Sequence, residues 1–151
     1  MSDTPTRDQR LATLEILVGE WVEQVLLPDA PAGRAVFEWA LRGAYLIQRS
    51  DAPLKEFPDG FMVIEPDPDG DGYTQHYFDS RGVTRVYRMQ LRDGEWTLLR
   101  TEPDFSPLDF AQRFQGTFSA DGDTIEGRWE TSHDGGTTWE TDFGLRYTRV
   151  R

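Results

Sequence analysis

Four side chains in the middle of this 151-residue sequence are the best equipped for chemistry: Tyr77, Arg85, Tyr87 and Arg100. Two guanidinium forks beside two phenols suit the holding of a carboxylate or phosphate. Arginine stays charged, presents five donors and accepts nothing, so it binds anions and does not move protons. Candidates for proton transfer are few. Glu23 and Asp79 are the only carboxylates that the strand pattern turns inward. There are two histidines, His76 and His133, on different segments with no partner spacing, and a histidine metal site needs two or three converging ligands. His76 is the one candidate for a haem ligand or general base, but its register points it outward beside Phe78. Specific haem binding, a metal and any other cofactor are therefore not expected. There is no cysteine, hence no disulfide framework and no thiolate nucleophile, and Lys55 is the single lysine. No Gly-x-Ser-x-Gly elbow, P-loop or dinucleotide fingerprint occurs.

Two short motifs read as turns. Asp67-Pro68-Asp69-Gly70-Asp71-Gly72 matches the first half of a calcium loop, but Phe78 stands at the twelfth position where a bidentate glutamate is required. It is an acidic hairpin turn. Ser132-His133-Asp134-Gly135-Gly136-Thr137-Thr138-Trp139 fits S-x-D-x-G-x-T-W and resembles the Asp-box of sialidases, there a hairpin staple remote from catalysis. Here Ser132 and Asp134 are expected to satisfy loop amides, and Trp139 to plug the end of a barrel.

The balance of charge narrows the partners. Sixteen basic against 27 acidic residues give a formal net charge of −11, which repels nucleic acid and anionic membranes. Residues 1–10 carry no apolar leader core and no run approaches a membrane span, so a cytoplasmic location is expected.

The elements that position these groups follow from the turns. Only residues 7–17 look helical, with Thr6 as cap and Leu11, Leu14 and Val18 on one face. From Gly19 the period changes from 3.6 to 2, punctuated by Asp59-Gly60, Asp69-Gly70, Asp71-Gly72, Asp93-Gly94, Asp121-Gly122 and Asp134-Gly135. Strands are predicted over 19–27, 33–41, 44–51, 60–66, 72–79, 83–91, 95–101, 110–119, 124–132 and 138–149. Such a meander removes its edges by closing into a barrel. The loop 101–109, with Phe105 between Pro103 and Pro107, interrupts the rhythm at one end.

The turn centres also set registers. Two-residue loops at Asp121-Gly122, Asp93-Gly94 and Arg42-Gly43 put Phe114 opposite Trp129, Gln112 opposite Thr131, Tyr87 opposite Arg100 and Phe37 opposite Gln48. A three-residue loop at 80–82 puts Tyr77 opposite Arg85. In each pairing the apolar residues share one face, while Glu38, Arg49, Thr97, Glu126, Glu130, Glu140 and Asp142 fall on the other.

Leu17-Val18-Gly19-Glu20-Trp21 after a short helix is similar to the G-x-W start of calycins, the lipocalin and fatty-acid-binding superfamily. The stretches Val36–Gln48, Tyr73–Gly82 and Asp134–Arg149 resemble the DUF1579 family of bacterial calycin-like proteins across nearly the whole chain. The resemblance implies a lipocalin-like barrel of uncharacterised function and brings no catalytic residue. Nitrobindin-like haem carriers are related calycins, but their haem-binding pattern has no match here. Arg85-Val86-Tyr87 resembles the Arg-x-Tyr that holds the carboxylate in fatty-acid-binding proteins, on a different strand.

The expectation is therefore a single all-β domain over 1–151. A helix within 1–18 precedes an antiparallel up-and-down calycin-like barrel of eight to ten strands over 19–150. Its function is expected to be binding of a small hydrophobic or amphipathic molecule bearing a carboxylate or similar anion. Trp21, Glu23, Trp39, Gln48, Tyr77, Asp79, Arg85, Tyr87, Met89, Arg100, Gln112, Phe114 and Trp129 form the expected site, gated by the loop around Phe105. The alternatives are a barrel enzyme of isomerase or cyclase type and a filled structural or interaction barrel. Phe78 and Val86 on the outer face suggest a homodimer.

Overall fold

The structure is a computed structural model and describes residues 5–53, 57–68, 70–105 and 107–151. Lys55 and Asp69 thus lie outside the described residues. The helix α1, Arg7–Thr13, starts in a capping box: the Gln9 amide donates to Thr6 Oγ1 at 3.1 Å and the Thr6 amide to Gln9 Oε1 at 2.9 Å. Two orphan donors are thereby satisfied. The segment then tightens into a 3-10 turn, Leu14–Leu17. The tighter winding brings Leu17, together with Leu14, to full burial, and leaves Val18 packed at the margin. Each fully buried leucine contributes about 1.5–3 kcal/mol, enough to pin so short a helix to the barrel.

Ten strands follow: β1 Gly19–Val25, β2 Gly33–Ala40, β3 Tyr45–Asp51, β4 Gly60–Pro66, β5 Tyr73–Asp79, β6 Thr84–Arg92, β7 Glu95–Arg100, β8 Ala111–Phe118, β9 Thr124–Ser132 and β10 Glu140–Arg149. Every bound falls within two residues of the turn-based expectation. Each strand pairs antiparallel with its chain neighbours, and β1 pairs with β10, so the sheet is a closed up-and-down barrel. No helix among the described residues is long and apolar enough to cross a membrane.

The registers match those deduced from the turns except for Tyr87 and Arg100, which do not pair because the β6–β7 ladder ends at Arg88–Leu99, and two of the loops are longer than supposed. Ser119 and Thr124 still bond across the β8–β9 turn at 2.8 Å, and Ala40 pairs with Tyr45 across the β2–β3 turn. Four residues lie between the partners in both cases. Register depends on the centre of a turn and not on its length, so Phe114 still meets Trp129 and Phe37 still meets Gln48. Asp93-Gly94 is the two-residue loop expected, with φ of 53° and 75°.

The helix sits across one end of the ring. Arg7 donates to the Ala44 carbonyl at 2.8 Å, the Tyr73 hydroxyl to the Arg10 carbonyl at 2.8 Å, and Trp39 Nε1 to Glu15 Oε2 at 2.9 Å. Beneath it the lumen is packed with Trp21, Phe37, Leu46, Ile64, Met89, Trp96, Phe114 and Ile125, none more than 1% exposed. Rings meet edge to face from Phe37 to Trp96 (5.9 Å) and on to Phe114 (5.0 Å).

Two exterior expectations need correction. Trp139 does not plug the barrel end. The strand starts only at Glu140, and the indole stacks on the outer face, 4.3 Å under the Arg113 guanidinium. Glu130 is on the outer face but only 7% exposed, because Arg113 covers it and donates Nε to Oε1 at 2.9 Å. The turn itself behaves as expected: Thr138 and Gly136 amides donate to Asp134 Oδ1 and Ser132 Oγ at 2.9 Å each.

Candidate functional site

Opposite the helix the lumen is not filled. A cavity of about 490 Å³ opens there among the β1–β2, β3–β4 and β9–β10 ends. Its body is apolar: Val25, Met62, Phe110, Trp129, Phe143 and Leu145. Alternation explains the division of the lumen. On β1 the inward positions run Trp21, Glu23, Val25 from closed end to mouth, so the large indole fills the floor and a carboxyl stands above it.

Tyr77, Arg85, Tyr87 and Arg100 do not share one fate. Arg100 is 2% exposed and paired with Asp104: Nε to Oδ2 is 2.8 Å and Nη2 to Oδ1 2.9 Å, with Nη2 also 3.1 Å from the Pro107 carbonyl. It does not line the cavity. Pairing of β6 with β7 starts only at Arg88–Leu99, and Asp104 fills the gap beyond it by accepting the Val86 amide at 2.8 Å.

Arg85 does line the cavity, and no ion pair engages it among the described residues. Its Nε is buried without a hydrogen-bond partner. Two phenols stand around it, Tyr77 and Tyr87, the second in contact with the Arg85 side chain. The Tyr77 hydroxyl donates to Asp79 Oδ2 at 2.7 Å, and the Tyr87 hydroxyl donates to Gln112 Oε1 at 3.1 Å. Burial pushes both phenols up, and the Asp79 carboxylate adds to the effect at Tyr77.

Asp79 does not serve Arg85. It closes the β5–β6 turn at the rim, accepting Arg81 Nη2 at 2.6 Å and the Arg81 amide at 2.9 Å. Burial alone would raise its carboxyl, but bonds from the Arg81 side chain, Tyr77 and the Arg81 amide outweigh this and hold it at about 2. Glu23 stands in the opposite condition. Burial pushes its carboxyl up, against opposing hydrogen bonds from Tyr147, whose hydroxyl donates to Oε1 at 2.9 Å, and Ser50.

Of the expected site, Glu23, Tyr77, Arg85, Tyr87, Gln112 and Trp129 line the cavity. Trp21, Trp39, Met89 and Phe114 belong to the packed half beneath the helix, because inward residues near that end meet their neighbours with no space between, while Gln48, also buried, stands behind the cavity wall and donates to Ser50 Oγ at 3.1 Å. Phe105 is 78% exposed and does not line the cavity; the loop contributes Phe110 in its place. His76 lies on the outer face with Nε2 3.7 Å from Glu65 Oε2.

Ser50, Arg81, Tyr147, Phe143 and Asp104 were not in the expected site. Tyr147 and Phe143 were readable as inward residues of the last strand. Asp104 had no periodic signal, sitting in an irregular loop. The described residues hold no cluster of three or more histidine, aspartate or glutamate side chains fit for a metal ion. No known family model matches the chain, and no curated protein matches it.

Proposed function

We propose that this protein is a binding barrel for a medium-sized apolar molecule that carries a carboxylate or comparable anion. The observation that carries this reading is Arg85, a guanidinium lining a largely apolar cavity, with no ion-pair partner among the described residues and a buried, unpartnered Nε. A half-buried guanidinium without an ion-pair partner keeps donors free for a ligand, and a bidentate anion is their natural complement. The cavity volume lies within the range of small-molecule pockets, about 300–1,000 Å³. Its apolar walls suit a hydrocarbon or aromatic body.

Trp129, in the wall, allows a direct test. Fatty and aromatic acids are titrated by fluorescence quenching and calorimetry against the parent protein and Arg85→Met. Saturable binding that weakens at least tenfold in Arg85→Met is expected; no saturable binding by any acid would overturn the binding reading and leave a structural or interaction role. The open half-lumen favours a binding role over a filled barrel.

The ten-stranded ring with a helix across one end supports a calycin-like assignment, and within it a DUF1579-like one. The cysteine-free sequence supports a cytoplasmic location. Self-association is read from the outer face of β4 and β5, where Phe61 and Phe78 are 37% and 40% exposed with ring centroids 6.5 Å apart. Light scattering at twice 17.4 kDa, returning to 17.4 kDa in Phe78→Glu, is the expected result.

A further inference from the structure

The cavity has a second polar wall. In a ring of ten strands in sequential order, β1 and β6 are five steps apart in either direction. Glu23 on β1 and Arg85 on β6 therefore stand on opposite sides of the lumen, both lining the cavity and not ion-paired with each other. The groups around Glu23 come from the strands near it: Tyr147 on β10, paired with Glu23 in register, and Ser50 on β3. Both line the same cavity. Gln48 Nε2 donates to Ser50 Oγ at 3.1 Å, which leaves the serine proton free for the Glu23 carboxyl.

Two donors do not exhaust a carboxyl group. Its two oxygens offer about four acceptor sites when ionised, and when protonated it becomes a donor as well. An acid with a plain hydrocarbon tail would anchor at Arg85 and lay its tail against Glu23, Tyr147 and Ser50, stripping water from them without replacing its hydrogen bonds. We infer that the natural ligand is polar at both ends, an apolar acid with a hydroxyl group remote from its anion, the hydroxyl being received by Glu23 across the lumen from Arg85.

A hydroxyl fits better than the other polar groups. It donates and accepts, so it satisfies Glu23 whether or not that carboxyl is ionised. A second carboxylate or a ketone would need the protonated form, and an ammonium would need the ionised one. Between the two anchors Val25, Met62, Leu145 and Trp129 supply hydrocarbon and indole, and the Tyr77 and Gln112 side chains on the same wall already hold hydrogen bonds, which suits a chain with its polarity confined to its ends.

This inference rests on the binding reading above and is tested so that the two can fail separately. Decanoic, 2-hydroxydecanoic and 10-hydroxydecanoic acids are titrated by calorimetry into the parent protein, Arg85→Met and Glu23→Met. A site that hydrogen-bonds a ligand hydroxyl discriminates strongly against the analogue lacking it. The parent is expected to bind 10-hydroxydecanoate roughly tenfold more tightly than decanoate, with no such gain for the 2-hydroxy acid. Glu23→Met should abolish the preference and keep decanoate binding. Arg85→Met should weaken both acids and keep the preference. Decanoate binding that depends on Arg85, with no gain from a terminal hydroxyl or an equal gain from the 2-hydroxyl, would overturn the inference and leave the binding reading intact. No binding of any of the three acids would overturn both. The three-acid comparison in the parent decides the matter even if Glu23→Met does not fold.

Discussion

Arg100 and Asp104 form a two-pronged ion pair, at 2.8 and 2.9 Å, in which neither side chain is more than 8% exposed. Arg85, also inward-facing and on the neighbouring strand β6, has no such partner among the described residues. Two arginines that look equivalent in the sequence thus divide the labour: one fixes a loop and the other faces the cavity.

Removing one partner of a buried pair leaves a stranded charge and costs about 3–5 kcal/mol. Arg100→Met is expected to lower the urea midpoint accordingly and to free the 101–109 loop for proteolysis. Replacing both partners, as Arg100→Met with Asp104→Leu, should recover much of the loss, limited by the Val86 amide that Asp104 also caps. Arg85→Met should unfold no more easily than the parent. Equal destabilisation by Arg85→Met and Arg100→Met would contradict this division.

Asp79 links stability to acid. Its folded pKa of about 2 lies below the ordinary 3.8, so between these values the unfolded chain binds more protons. The contribution is complete above about pH 4 and is lost as the pH falls toward 2. Asp79→Asn should flatten the melting-temperature profile in that window. A profile parallel to the parent's would remove Asp79 from the acid response.

Glu23 has the opposite sign. Its carboxyl is raised above 4.5 by burial, so the folded state binds the extra proton and stability falls as pH rises through the raised value. Glu23→Gln should therefore be more stable than the parent at pH 8 and close to it at pH 4. Thermal melts at the two pH values provide the comparison.

Gly116 and Gly127 pair across β8 and β9, and the Phe114 ring lies over them. A Cβ on Gly127 would stand 2.5 Å from Phe114 Cζ and 3.0 Å from the Gln115 carbonyl oxygen. Gly127→Ala is expected to cost about 1–3 kcal/mol in thermal or urea unfolding, since the ring must leave its place in the aromatic stack.

The fold was largely legible because turns and period-2 alternation act locally: Asp93-Gly94 and Gly82 set registers that propagate along whole strands. What the alternation could not reveal was the boundary between packed and empty lumen. Met89 and Tyr87 are both inward on β6, yet Met89 meets the aromatic floor while Tyr87 borders the cavity. That boundary depends on how far α1 and Trp21 reach down the axis, a sum over side chains from many strands. The counter-charge for Arg100 was hidden for a related reason. Asp104 acts from an irregular loop, where no spacing rule says which way a carboxylate will turn.

The pairing of β1 with β10 joins segments more than a hundred residues apart, and Arg149 reinforces the seam. Its Nη1 donates to the Val18 carbonyl at 2.8 Å, its Nη2 to the Ile16 carbonyl at 2.7 Å, and its guanidinium lies 4.2 Å over the Trp21 ring. Hairpins between neighbouring strands can form in microseconds, but this seam must wait for an entropically expensive long-range encounter. During synthesis the edge of β1 stays unpaired until the last strand has left the ribosome. Closure of the seam is therefore the pairing that must close the longest loop of chain, and until it happens the nascent barrel carries two open edges on which another chain could add.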